Sequence, residues 1–340
     1  MRVDVTIVGV PLAQVPGRAA ELAALGVDGV FTAEGAHEAF FPLALAASSG
    51  LELMTNAAIA LPRNPMHLAQ AAWDLQELSG GRFRLGLASQ IRAHIERRFG
   101  LTWSEPVERL RELVLATKAV FATWQDSQPM DFEGRFYRHT LMTPMFDPGP
   151  NPFGPPPVLL GALGPKMTRM TAEVADGLLV LPFSTARFLA EAMMPEVDAG
   201  LAAAGRSRSD LEMVCGVIVG VGSDEAELAR ADAGVRGLLG FYSSTPAYRP
   251  VLELEGWGER QPEFRARTRA GDWAALGSLV TDEMVGALAV TGDPATCARA
   301  IATRCGQLAD RVALFLPAAP SDQTLAELVA ELHRLGPAAG

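Results

Sequence analysis

Short apolar runs and longer amphipathic stretches alternate along the chain, and the alternation predicts strand followed by helix, many times over. Val3–Val8 reads as a strand, and Pro16–Leu25 as a helix that Gly26 caps. Gly29–Thr32 is a short apolar strand, followed by an Ala- and Leu-rich helix over Pro42–Ser48. Leu51–Ile59 makes a third strand. In Pro65–Leu78, Leu68, Ala71, Ala72, Leu75 and Leu78 recur at three- and four-residue spacing, the mark of a helix with one apolar face. Ser79-Gly80-Gly81 stops it, and Phe83–Leu87 is a fourth strand. A long amphipathic helix over Glu105–Trp124 takes its register from Val107, Leu110, Val114 and Phe121.

The pattern then breaks. From about residue 125 to 157 the chain carries Pro144, Pro148, Pro150, Pro152, Pro155, Pro156 and Pro157. Proline fixes φ and removes backbone donors, so this stretch is a connecting insertion. Alternation resumes with a strand at Val158–Leu160, a helix at Lys166–Ala175, a strand at Gly177–Leu181, a helix at Ala186–Ala204 and a strand at Glu212–Val221. Glu225–Gly240 is helical, and residues 243–278 are less regular, an excursion over one mouth. Pro294–Cys305 (helix), Arg311–Leu316 (strand) and Leu325–Leu335 (helix) close the chain. Eight strands, near residues 3, 29, 51, 83, 158, 178, 212 and 311, each with a helix behind it, imply parallel pairing through right-handed crossovers. The expected fold is α/β, a (β/α)₈ TIM barrel spanning residues 1–340 as one domain, with an open doubly wound sheet as competitor.

Composition narrows the function. A 49% hydrophobic and 20% charged chain has material for a sizeable core. Lys and Arg number 29 against 39 Asp and Glu, a net charge of −10 that argues against nucleic-acid binding but not against one small anionic ligand. Cys215, Cys297 and Cys305 form no CxxC, and His37, His67, His94, His139 and His333 are scattered, so neither a disulfide scaffold nor a metal site is expected. No apolar run is long enough for a membrane span or a signal peptide, which makes the cytoplasm the expected location. P-loop, GxSxG and GxGxxG signatures are missing.

In a (β/α)₈ barrel the chemistry sits on loops after the C-terminal strand ends. The first such loop is Thr32-Ala33-Glu34-Gly35-Ala36-His37-Glu38, with carboxylates and an imidazole together. It reads as acid–base machinery or as a solvated loop with a helix cap. The second, Asn56 to Pro65 including Ala57, Ala58, Ile59 and Arg63, ends a strand in small residues, so a flat ligand can lie against backbone. Strand-to-helix punctuation explains it equally well. The third, Leu85 to Gln90 and on to His94, presents Ser89 and Gln90 to a heterocycle edge, on weak evidence. The fourth is Gly161-Ala162-Leu163-Gly164-Pro165-Lys166-Met167, where glycines, a helix start and a lysine suit a phosphate; a tight turn with an exposed lysine is the alternative.

These loops, in this order, resemble the bacterial luciferase-like monooxygenase family. The resemblance rests on three stretches. One runs from Ala57-Ala58-Ile59 through Asn64-Pro65 to Ser79-Gly80-Gly81-Arg82-Phe83. The second is Gly161–Met167 followed by Ala172-Glu173-Val174-Ala175-Asp176-Gly177, and the third is Thr32-Ala33-Glu34 with Pro42–Ala47. The resemblance implies a barrel of the luciferase type with an insertion after the fourth βα unit. It implies a flavin-type ring in the mouth, a cofactor phosphate on the backbone of Gly161–Lys166, and a non-prolyl cis peptide at Ala58–Ile59. Gly161–Met167 looks closest to F420-dependent members, so F420 is preferred to FMN. On this reading hydride passes between the deazaflavin C5 and an organic substrate, His37 transfers the proton oriented by Glu34, and His94 is second choice. Under the FMN alternative the protein is a monooxygenase served by a separate reductase. A barrel that binds a cofactor without catalysis is the rival from another class. Phe40, Phe41, Phe183, Phe241 and Trp257 suggest a hydrophobic substrate, and a homodimer is expected by analogy with relatives.

Overall fold

A computed structural model describes residues 1–336. Its parallel strands are β1 (Arg2–Thr6), β2 (Gly29–Thr32), β3 (Glu52–Thr55), β4 (Phe83–Ala88), β5 (Val158–Ala162), β6 (Gly177–Val180), β7 (Glu212–Val221) and β8 (Arg311–Phe315). Each pairs with the next and β8 pairs with β1, so eight strands close a barrel. β2 and β6 are buried at every residue, which is why they read as continuous apolar runs.

Helices α1 (Val15–Ala24), α2 (Phe40–Ala46), α3 (Pro65–Leu78), α4 (Pro106–Asp126), α5 (Pro165–Val174), α6 (Met194–Ala203), α7 (Glu225–Ser243), α8 (Pro294–Cys305) and α9 (Asp322–Leu335) ring the barrel. Their starts are written locally. Asn64 accepts from Met66 N at 2.9 Å ahead of Pro65, and Asp224 accepts from Glu227 N at 2.7 Å.

One device recurs at the strand starts. Asp28, Asp176 and Asp310 each precede a strand and accept, through Oδ2, a backbone N–H from the first or second residue of the strand before it. The donors are Val3 at 2.7 Å, Val158 at 2.8 Å and Met213 at 2.7 Å. This clasp fixes register for the β1–β2, β5–β6 and β7–β8 pairs.

Four departures from the sequence expectation have local causes. The helix expected over 186–204 is interrupted by a wide π-turn at Leu189–Met193, just before Pro195, which has no N–H to continue the ladder. Ala289–Gly292 forms an unforeseen strand alongside Ile218–Val221 of β7. The insertion holds a two-stranded hairpin, Phe132–Glu133 with Arg138–His139. The third strand, expected as one run, stops at Thr55 and resumes as Ala58–Ile59. Among the described residues no helix is long and apolar enough to cross a membrane.

Candidate active site in the barrel mouth

The mouth is shaped by a close approach between β3 and β4. A Cβ at Gly86 would stand 1.8 Å from the Thr55 carbonyl oxygen, so only glycine fits there. The Thr55 hydroxyl donates to Gly86 O at 2.7 Å and accepts from Gly86 N at 2.8 Å. Beyond this junction the chain leaves the ladder. Asn56 N donates to Thr32 O at 2.6 Å, and Glu34 N donates to Ala57 O at 3.1 Å. The cis peptide lies here, at Asn56–Ala57. The family resemblance implies it at Ala58–Ile59, but those two residues have resumed regular strand pairing with Leu87 and Ala88.

Glu34 fastens this shelf. Its Oε2 accepts from Ile59 N at 2.9 Å and from Arg63 Nη2 at 2.7 Å, and its side chain is only 8% exposed. Arg63 also reaches Glu38 Oε1 at 3.0 Å and lies over the Phe40 ring at 5.4 Å. The expectation that Glu34 orients His37 therefore fails: the carboxylate is committed to Ile59 and Arg63, and His37 is exposed on the loop. His94 is exposed on the short helix Arg92–Arg97, and neither imidazole lines the mouth.

A cleft of about 370 Å³ opens above the strand ends, within the range of small-molecule sites. Ala57 and Ile59 form one wall with Glu34 beside them, Ser89 and Gln90 another, and Gly161–Gly164 a third. Gln90 holds a left-handed backbone, φ 63°, unusual for a residue with a side chain and typical of functional loops. Its Oε1 accepts from Ile91 N at 2.9 Å, and the Ser89 hydroxyl donates to Gln90 O at 3.2 Å. Gly164 begins α5 with no side-chain cap, and Pro165 has no N–H, so the first helical donors are the amides of Lys166 and Met167. The Lys166 side chain does not join them. It is exposed and lines an outer groove with Arg169 and Glu173. Ala58 is fully buried in the core behind the shelf.

The rest of the lining has no counterpart among the sequence expectations. It comprises Leu179–Pro182 from the end of β6, Phe315 from β8, and Tyr242 and Tyr248 from the end of α7 and the turn after it. The chain has three tyrosines, and the pairing of two of them six residues apart was the available signal. Burial pushes both phenols up from their ordinary pKa. The aromatics expected to make the substrate pocket divide differently: Phe40, Phe183 and Trp257 are core, while Phe41 and Phe241 are exposed.

A family model described as luciferase-like monooxygenase matches residues 3–311. An uncharacterised protein of Mycobacterium tuberculosis is 48% identical over 313 residues, 92% of each chain. A second protein of that organism, provisionally named a coenzyme F420-dependent oxidoreductase, is 31% identical over 304 residues, covering 83% of this chain and 85% of the relative. Among solved structures, the coenzyme F420 dependent tetrahydromethanopterin reductase of Methanopyrus kandleri shares the fold with a TM-score of 0.80 over 97% of each chain, at 20% identity.

Proposed function

The chain belongs to the luciferase-like monooxygenase family, and from that premise we propose that it is an oxidoreductase holding the deazaflavin F420 in its barrel mouth. One observation carries the reading. The small-residue shelf at Ala57–Ile59 and the uncapped start of α5 line the same cleft, so a flat ring and its phosphate have adjoining seats. When bound, the deazaflavin would supply the C5 carbon that takes hydride from, or gives it to, a small organic substrate.

The protein's own residues bind and orient. Ala57 and Ile59 offer a surface without bulky side chains. Ser89 and Gln90 present hydrogen-bonding groups at the ring's edge. The backbone from Gly161 to Gly164, with the Lys166 and Met167 amides behind it, suits a phosphate, because the free N–H groups and the helix dipole both favour negative charge. Glu34 keeps the shelf in place through Ile59 and Arg63. The side chains on the cleft that carry a carboxyl or hydroxyl group are Glu34, Ser89 and the two tyrosines, so proton transfer is assigned to this set in place of His37 and His94.

Titration of the purified protein with F420, followed by absorbance and fluorescence, tests the reading. A saturable spectral change in the micromolar range is expected, with FMN at the same concentrations giving none. No change with F420 up to tens of micromolar would remove the proposal, and a change with FMN alone would transfer the site to flavin chemistry.

A further inference from the structure

We propose that the tyrosine-bearing side of the cleft selects an uncharged substrate whose acceptor oxygen, such as a carbonyl, is hydrogen-bonded by the phenols of Tyr242 and Tyr248, and that it rejects phosphate- or carboxylate-bearing molecules. The inference deepens the functional reading above and rests on it for the assignment of the β3 shelf and the start of α5 to the cofactor.

The charge inventory comes first. No Lys, Arg or His is among the cleft-lining residues, and the one ionisable carboxylate that lines it is Glu34. The nearby cation, Arg63, is engaged by Glu34 and Glu38 and covered on one side by Phe40. An anion entering this space loses hydration, finds no counter-charge, and faces a carboxylate. The one anion-friendly feature, the start of α5, follows β5 and is the seat given above to the phosphate of the cofactor.

The hydrogen-bonding inventory comes second. Phe183 is fully buried and braces both phenol rings, at centroid distances of 5.7 Å to Tyr242 and 6.0 Å to Tyr248. The two tyrosine rings meet edge-on at 5.6 Å. Their position is fixed from below: the Ser244 hydroxyl donates to Phe241 O at 2.6 Å, and Gln261 Nε2 donates to Ser244 O at 3.2 Å. Neither phenol has a hydrogen-bond partner among the described residues, and neither is sealed away from the cleft. A protonated phenol is a donor, and burial keeps both protonated through the physiological range. Two fixed donors set among Leu179, Leu181, Pro182 and Phe315 suit an apolar body carrying an acceptor oxygen.

The chain contains three tyrosines, so uniform 3-fluorotyrosine labelling gives three ¹⁹F signals, assignable by single Tyr→Phe variants. Acetophenone and benzoate, alike in size and different in charge, are titrated into the cofactor-free protein. Acetophenone is expected to shift the Tyr242 and Tyr248 signals and leave Tyr137 in place, with benzoate at least tenfold weaker at those signals. In Tyr242→Phe or Tyr248→Phe, acetophenone affinity measured at the remaining signal is expected to fall about fivefold, the effect of one lost hydrogen bond. The inference is overturned if acetophenone moves neither signal, if benzoate matches it, or if both variants bind acetophenone as well as the parent. The acetophenone and benzoate arms need no cofactor, so their outcome is read separately from that of the F420 titration.

Discussion

At the N-terminal end of the barrel, Arg311 donates from Nε to Asp4 at 2.8 Å and from Nη1 to Glu52 at 2.6 Å, and Arg84 donates to Glu212 at 2.8 Å. Arg311 is 1% exposed, and a Cβ at Gly29 would stand 2.3 Å from Asp4 Oδ1, so around Arg311 the barrel interior is packed tight with charge. At the C-terminal end the strands finish in Ala57, Ala88, Gly161 and Ala162, and a cleft stands above them. β1, β3, β4 and β8 contribute Asp4, Glu52, Arg84 and Arg311 to the plug, while the far end of β4, the end of β5 and the chain after β3 contribute small residues to an open floor. The plug is satisfied within the protein, whereas the floor has free helix amides and unpartnered phenols. Groups satisfied internally serve stability, and groups left unsatisfied beside open space are those a ligand can use.

The largest effect should come from Arg311→Met, which leaves Asp4 buried without its cation. Denaturant unfolding should show a loss of about 3–5 kcal/mol, with F420 affinity of the folded protein unchanged. If affinity fell in step with stability, the two ends would be coupled and the contrast would break. A paired glycine test comes next. Gly29→Ala should cost about 1–3 kcal/mol by overpacking the plug. Gly161→Ala puts its methyl at ordinary contact, 3.4 Å from the Ala88 Cβ, and should change stability by less than about 0.5 kcal/mol. The same methyl narrows the cleft, so F420 titration of Gly161→Ala should show roughly tenfold weaker binding, about 1.4 kcal/mol.

The smallest effect is a pH dependence on the rim away from the cleft. Glu227 accepts from Ser223 N at 2.9 Å, from the Thr324 hydroxyl at 2.7 Å and from Ser321 N at 2.8 Å, tying α7 to α9. The Ser223 N–H foremost, then the Thr324 hydroxyl and the Ser321 N–H, hold its carboxyl down to about 2 from the ordinary 4.5. A lowered folded-state pKa contributes stability that is full above the ordinary value and is lost as pH falls from there through about 2. The Tm of the parent should therefore drop more steeply than that of Glu227→Gln over that range, and parallel curves would remove Glu227 from the acid response.

Strand and helix order was legible because a barrel of parallel strands buries β2 and β6 on every side and leaves helices one apolar face, and both patterns show in a single sequence. The turn at Gly161–Gly164 was legible for a similar reason, since glycines before a proline-led helix start are a local signal. The partner of Glu34 was not. Arg63 is 29 residues away, and only closure of the β2–β3 junction brings it to the carboxylate in place of His37. Tyr242 and Tyr248 were missed because they reach the mouth from the end of α7 and a following turn, where no strand-end rule directs attention. Ala289–Gly292 escaped because four residues, one of them exposed, give no readable period.

The central claim is that ring and phosphate occupy one cleft between the β3 shelf and the α5 turn. The most direct measurement is a crystal structure of the protein grown with F420. Density for the tricyclic ring against Ala57–Ile59, with its phosphate on the amides following Gly161, is the expected result. Density anywhere else, or a cleft that admits no ring while F420 is bound in solution, would contradict it.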